Sequence, residues 1–228
     1  MTSRHFRILP EGDSTLVIEF EERVDPIVNA RAIRLADAIQ YSGIEGIRDV
    51  VPTYRSVSVF FDPLRTSYQS LVDWVTRAAS TVPENVIEAS QTPIPVPVCY
   101  DEDLGPDLQS VASLANLSPD QVVGLHASTT YRVFMLGFLP GFAYMGIVDE
   151  RIRAPRHATP RARVPRGAVG IAGAQTGVYP LDVPGGWRLI GRTPVRPFDP
   201  SRKEPFLFKP GDAVRFMPID RSEYEASK

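Results

Sequence analysis

The sequence predicts an α+β chain in two parts. A small N-terminal α/β domain runs β-α-β-β-α-β in the ferredoxin-like manner, and a strand-rich C-terminal domain follows, closing as a barrel or sandwich. Three observations lead there. The length of 228 residues, 43% of them hydrophobic, suits two domains of about 100 residues each better than one. Apolar periods alternate between 3.6 and 2 up to about residue 99. Beyond Tyr131 helical periodicity gives way to short apolar runs separated by Gly and Pro turns. The division is placed at residues 1–92 and 93–228.

Leu16-Val-Ile-Glu-Phe20 is apolar and β-branched, a buried strand. Asp25-Pro26 supplies a cap and a first-turn proline, and Val28, Ala32, Leu35 and Ile39 recur at helical spacing until Ser42-Gly43. Ile47 to Val51 is the next strand. Val57, Val59 and Phe61 alternate with Ser56, Ser58 and Phe60, so this strand pairs back as a hairpin with one face buried. Tyr68, Leu71, Val75 and Ala78 mark a second amphipathic helix. Ile94, Val96 and Val98 alternate with Pro95 and Pro97 in a last strand, and those prolines place it at an edge or at an exit from the sheet.

In the second domain, Leu108 to Leu117 and Ser118 to His126 read as short helices. The latter opens on Ser118-Pro119-Asp120-Gln121, a capping box. Tyr131 to Phe138, Ala168 to Ala172, Trp187 to Ile190 and Ala213 to Met217 read as strands, and the tail from Arg221 is expected to fray.

Composition excludes several classes of function. No apolar run approaches the roughly 20 residues that span a bilayer, and Met1 to Glu11 lacks a signal-like apolar segment, so a cytoplasmic location with no membrane partner is expected. One cysteine, Cys99, rules out an internal disulfide, and its apolar surroundings favour a buried structural thiol. Charge is sorted by position: residues 1–150 hold 20 acids and 10 bases, residues 151–228 hold 7 acids and 15 bases. Of the 25 basic residues 22 are arginine, suited to planar contacts with carboxylate or phosphate. Because these arginines fall among prolines and glycines rather than on a helix, nucleic acid is not an expected partner.

The stretch from Gly137 to Pro197 is where chemistry is expected. Gly137-Phe-Leu-Pro-Gly-Phe-Ala-Tyr144 holds aromatics in a shaped loop, and Phe138, Pro140, Phe142 and Tyr144, with Trp187, are candidate pocket walls. Between Arg151 and Arg196 there are nine arginines, no lysine and one acid, Asp182. Arg156 and Arg161 are the leading candidates for anion binding, with Arg192 added, while Arg163 and Arg166 read equally well as solvated. Gln175 and Thr176 could orient an amide, or satisfy turn backbone. Tyr179 joins this set, and barrel core is the plain alternative for Tyr144, Tyr179 and Trp187. His126 is a candidate acid/base, set against a helix C-terminal histidine that meets the dipole; His157 lies between arginines. Phosphate-loop, dinucleotide, zinc and serine-elbow motifs are all missing, so no metal site and no nucleotide cradle can be assigned.

Five ordered elements carry a family resemblance: Gly137 to Tyr144, Pro155 to Gly167, Gln175-Thr-Gly-Val-Tyr-Pro180, Pro184-Gly-Gly-Trp187 and Gly191-Arg-Thr-Pro194. With Gly105-Pro-Asp-Leu108 ahead of them, the chain resembles the family of B-type 5-oxoprolinase subunits, also known as allophanate hydrolase subunit 1 or KipI, a histidine-kinase inhibitor. The resemblance implies a cyclophilin-like barrel in the second domain. It also implies a subunit inactive alone, working with a C-type (KipA-like) and an A-type subunit to open the lactam 5-oxo-L-proline to L-glutamate with ATP. Inhibition of a sensor histidine kinase, or a place in urea or allophanate metabolism, is the alternative that it implies.

Overall fold

The computed structural model describes residues 6–83 and 92–227, and the chain divides into two compact units, residues 1–90 and 91–228. In the first unit four antiparallel strands, β1 (Arg7–Pro10), β2 (Thr15–Glu19), β3 (Ile47–Pro52) and β4 (Ser56–Phe61), form a sheet ordered β1-β2-β4-β3. Helices α1 (Pro26–Gln40) and α2 (Tyr68–Thr81) share its core. The period-2 reading holds residue by residue, with Leu16, Ile18, Val57, Val59 and Phe61 all buried against Val28, Leu35, Ile39, Leu71 and Val75.

The Asp25 carboxylate accepts from the Ile27 and Val28 amides at 2.8 and 3.2 Å, capping α1. Asp25→Ala is expected to lower stability by about 1 kcal/mol; an unchanged denaturant midpoint would contradict that role.

The expected β-α-β-β-α-β order needs correction. Residues 94–98 do not join this sheet; the position beside β2 is taken by β1. Strand β5 (Ile94–Val98) instead lies parallel to a strand at the far end of the chain. Pro95 and Pro97 explain why it sits at an edge, since they have no N–H to donate to a second neighbour.

The second unit is built on seven strands: β5, β6 (Thr130–Leu136), β7 (Ala143–Gly146), β9 (Ala168–Ala172), β10 (Gln175–Val178), β12 (Arg188–Arg192) and β13 (Ala213–Pro218). A separate antiparallel ribbon pairs β8 (Arg161–Val164) with β11 (Val183–Gly185). The main sheet runs β12-β9-β10-β7-β6-β13-β5, and its two edges meet just past β5. There Cys99 and Arg192 exchange both backbone hydrogen bonds at 2.9 Å, so the sheet curls into a nearly closed barrel.

Its interior is filled by Val96, Val98, Tyr131, Val133, Met145, Val169, Ile171, Val214 and Phe216. Helices α3 (Leu108–Ala115) and α4 (Pro119–Ser128) add Val111, Ala112 and Val122 to the same core. The capping box on α4 is formed: Ser118 Oγ accepts from Gln121 N, and Gln121 Oε1 accepts from Ser118 N. The tail does not fray as expected. Arg221–Ala226 is a helix, α5, capped by Asp220 and Glu223, and it buries Tyr224 beside Cys99 and Leu104. Among the described residues no helix is long and apolar enough to cross a membrane.

Candidate functional site

A second apolar cluster lies apart from the barrel core and is made by Phe142, Val164, Ala168, Ala172, Tyr179, Trp187 and Leu189. Strand β10 shows how the sequence creates it. Thr176 and Val178 point into the barrel, whereas Gly177, on the opposite face, lies under Phe142 and Trp187. A Cβ on Gly177 would sit 2.7 Å from the Ala143 carbonyl oxygen and 3.4 Å from both rings, so glycine lets the aromatics close over the strand. Phe142 is the hub, meeting Tyr144, Tyr179, Trp187 and Phe138 edge-on with ring centroids 4.9 to 5.6 Å apart. Phe138 is exposed at the loop tip with φ of 67°, next to exposed Pro140.

Two arginines border this cluster. The Arg156 guanidinium lies over the Trp187 ring, 5.9 Å from its centroid, with its side chain otherwise exposed. Arg161, at the start of β8, donates from Nη2 to Asp107 Oδ1 at 2.7 Å, while its Nη1 is buried with no protein acceptor among the described residues. Such an unmet donor costs about 1–3 kcal/mol, which a bound oxygen would relieve. Tyr179 connects the two: burial raises the pKa of its hydroxyl, opposed by the Trp187 amide and by the charges of Arg156 and Arg161.

Asp107 was not among the expected site residues. It is 5% exposed, and besides Arg161 it accepts from His157 Nε2 at 3.1 Å and from the Leu189 amide at 2.7 Å. Burial opposes ionisation of Asp107, but Arg161, the Leu189 amide and His157 outweigh it and hold the carboxyl below its usual range. The signal in the sequence was the acid in Gly105-Pro-Asp-Leu108; nothing local said that it faces residues 50 positions on.

Three expected residues lie elsewhere. His126 is fully buried in the barrel, stacked on Phe216 at 4.5 Å. Its Nδ1 meets the Tyr100 hydroxyl at 2.8 Å and its Nε2 meets Thr176 Oγ1 at 2.9 Å. Since Thr176 donates to the Gly170 carbonyl, Nε2 carries the proton and Tyr100 donates to Nδ1. Burial pushes the His126 pKa down to about 3. The acid/base expectation for His126 therefore finds no geometric support; the ring is a neutral, doubly bonded core group. Thr176 belongs to the same network and does not face the arginines.

Arg192 closes a turn instead, donating from Nε to the Arg166 carbonyl at 2.9 Å. Gln175 opens β10, half-buried, with its backbone paired to Gly146 and Ala172. Arg163 is held by Asp182. A cleft of about 440 Å³ lies away from the aromatic cluster, lined by Tyr100, Asp101, Glu102, Pro106, Asp120 and Ile219 among others. No group of three metal-ligating side chains occurs among the described residues.

The rings at the centre of the cluster are core, with Phe142, Tyr179 and Trp187 all buried, and two guanidinium groups border it, one with a buried donor that no described protein atom meets. Guanidinium groups so placed suit an anionic group.

The chain matches the family model "Carboxyltransferase domain, subdomain C and D" over residues 6–208, which takes in the small α/β unit and most of the barrel. The B-type 5-oxoprolinase subunit of Bacillus subtilis (strain 168) is 38% identical over 238 residues, covering 100% of this chain and 98% of that one. Its namesake from Escherichia coli O157:H7 is 42% identical over 208 residues, covering 91% and 93%. The chain belongs to the family of B-type 5-oxoprolinase subunits.

The crystal structure of TTHA0988 superposes with a TM-score of 0.80 at 40% identity, over 90% of this chain but only 40% of that one. The K. lactis urea amidolyase shares the fold at 21% identity, with a TM-score of 0.77 over 97% of this chain and 15% of that one.

Proposed function

We propose that this chain is the B-type component of an ATP-dependent 5-oxoprolinase, opening 5-oxo-L-proline to L-glutamate only together with a C-type (KipA-like) and an A-type subunit. Kinship with the bacterial subunits supports the reaction. The observation that carries the site is the buried, unmet Nη1 of Arg161, whose charge is felt at the Tyr179 hydroxyl. In this reading Arg161 and Arg156 receive the substrate carboxylate, Tyr144 meets the flat ring with Phe142, Tyr179 and Trp187 packed behind it, and Phe138 and Pro140 form the outer lip. Gln175 stands on the outer-face register of β10 to meet an amide.

Bond-breaking groups and the nucleotide site are assigned to the partner subunits, consistent with the missing phosphate loop. The barrel is read as cyclophilin-like, and the complex as cytoplasmic. The two domains are read as residues 1–92 and 93–228.

Mixing the purified chain with its C-type and A-type partners is expected to release glutamate from 5-oxoproline only when ATP is present. No turnover from the assembled mixture would refute the reading. Within it, Arg161→Ala is expected to lower kcat/KM by about 10–100-fold through loss of a charge-assisted contact. The far-ultraviolet circular dichroism of the barrel should be retained, and wild-type turnover in this variant would remove Arg161 from the site.

A further inference from the structure

We infer that Asp107 is the positioning residue of the aromatic–arginine site: it fixes the guanidinium plane of Arg161 so that the Nη1 edge faces the ligand. The inference rests on the reading of Arg161 as an anion-binding group.

Asp107 occupies the cap position of α3, where an aspartate ordinarily accepts from its own helix. Here the carboxylate makes no capping bond to α3, and the backbone alone starts the helix, the Val111 amide donating to the Asp107 carbonyl at 2.9 Å. Both carboxylate oxygens turn instead to distant chain, Oδ2 to the Leu189 amide and Oδ1 to Arg161 and His157.

The mount beneath is rigid. The Asp107 amide donates to the Leu189 carbonyl at 2.8 Å, and the Gly105 amide donates to the Asp101 carbonyl at 2.7 Å. On the other side, the His157 amide donates to the Gly186 carbonyl at 2.8 Å, which ties the same cluster to the residue before Trp187. One carboxylate thus joins α3, β12, the arginine-rich segment and the aromatic wall.

A purely structural tie would leave both partners enclosed. The side chains of Arg161 and His157 are instead 30% and 22% exposed around a carboxylate that is 6% exposed. This is the layering expected of a buried support under groups that meet a ligand. Because only Nη2 is used, the fork keeps its second edge, and its direction is set by the carboxylate rather than by the ligand.

The test is Asp107→Asn, which keeps the shape and an acceptor for the Leu189 amide but removes the charge. On the isolated full chain, phenylglyoxal labelling of Arg161 is read by peptide mass against exposed Arg163. Loss of the charge-assisted bond should raise that ratio by about tenfold; an unchanged ratio overturns the inference whatever the complex does.

In the reconstituted complex, Asp107→Asn should raise KM for 5-oxoproline, and the double variant with Arg161→Ala should be no worse than Arg161→Ala alone. Additive losses would assign Asp107 a merely structural role. If the wild-type complex shows no turnover, the functional reading fails, and the labelling ratio still decides the position of Arg161. Should Asp107→Asn not fold, Arg161→Lys carries the test: it keeps the charge but loses the planar fork. Full turnover with lysine overturns the inference, and a loss without a change in thermal midpoint supports it.

Discussion

Acidification from pH 6.5 to pH 3 is expected to remove on the order of 4 kcal/mol of stability from the barrel unit through His126 alone. In the folded chain this ring resists protonation until about pH 3, because burial penalises the charged form. Unfolded histidine takes its proton near pH 6.5. Between those values the unfolded state binds more protons, so stability rises with pH. It is complete above about 6.5 and falls by up to ~1.4 kcal/mol for each unit of acidification.

Asp107, held ionised by its partners, adds a separate loss further into acid. His126→Gln isolates the histidine contribution. The variant is expected to be less stable at neutral pH, since it disturbs the contacts with Tyr100, Thr176 and Phe216. Its stability should nevertheless vary much less between pH 6.5 and 4. Parallel profiles for the two proteins, measured by denaturant titration at each pH, would show that the ring is not buried neutral.

Gly105→Ala is the second large effect expected. A Cβ there would lie 2.2 Å from the Ile190 carbonyl oxygen and 2.5 Å from its carbon, so backbone meets backbone and no side chain can yield. Either β12 or the turn before α3 must move, at a cost of about 3 kcal/mol or more. The displacement falls two residues from Asp107, whose bonds to Leu189 depend on the same close approach. Complex turnover should therefore drop further than the loss of stability alone requires. A wild-type melting midpoint for this variant would mean that the turn and β12 are not in contact.

Much of the fold was legible because its elements have strong periods. The hairpin of β3 and β4, both helices of the first unit, the α4 capping box and strand β9 follow from local pattern. Strand β1 was missed because Arg7–Pro10 is short and mostly exposed, which leaves no alternation to read. The destination of β5 was misjudged for a different reason: pairing partners are set by tertiary contacts, and the prolines reported only that the strand stands at an edge.

The site was legible as a region and less so as a set of residues. Aromatic and arginine types pointed to Phe142, Tyr144, Trp187 and Arg156, which the fold does bring together, and to Arg161, whose charge is felt at neighbouring Tyr179. Sequence could not separate Thr176, which faces inward, from Tyr179, three residues on, because that depends on which face of β10 the core takes. His126 has the residue type of a catalyst and the environment of a core side chain. Asp107 was overlooked because its partners lie 50 and 54 residues away.

The pairing of β5 with β13 joins the two ends of the second unit. Val214 lies opposite Ile94, so a contact at the edge of the barrel sheet closes a loop of about 120 residues. Strand β5 has no strand neighbour until β13 exists, and the Cys99–Arg192 seam joins segments almost as far apart in the chain. High separation of this kind slows the search for the native state. During synthesis β5 is made early and waits with its apolar face uncovered, and its two prolines then have a kinetic use: a strand that cannot donate from Pro95 and Pro97 is a poor template for pairing with another unfinished chain.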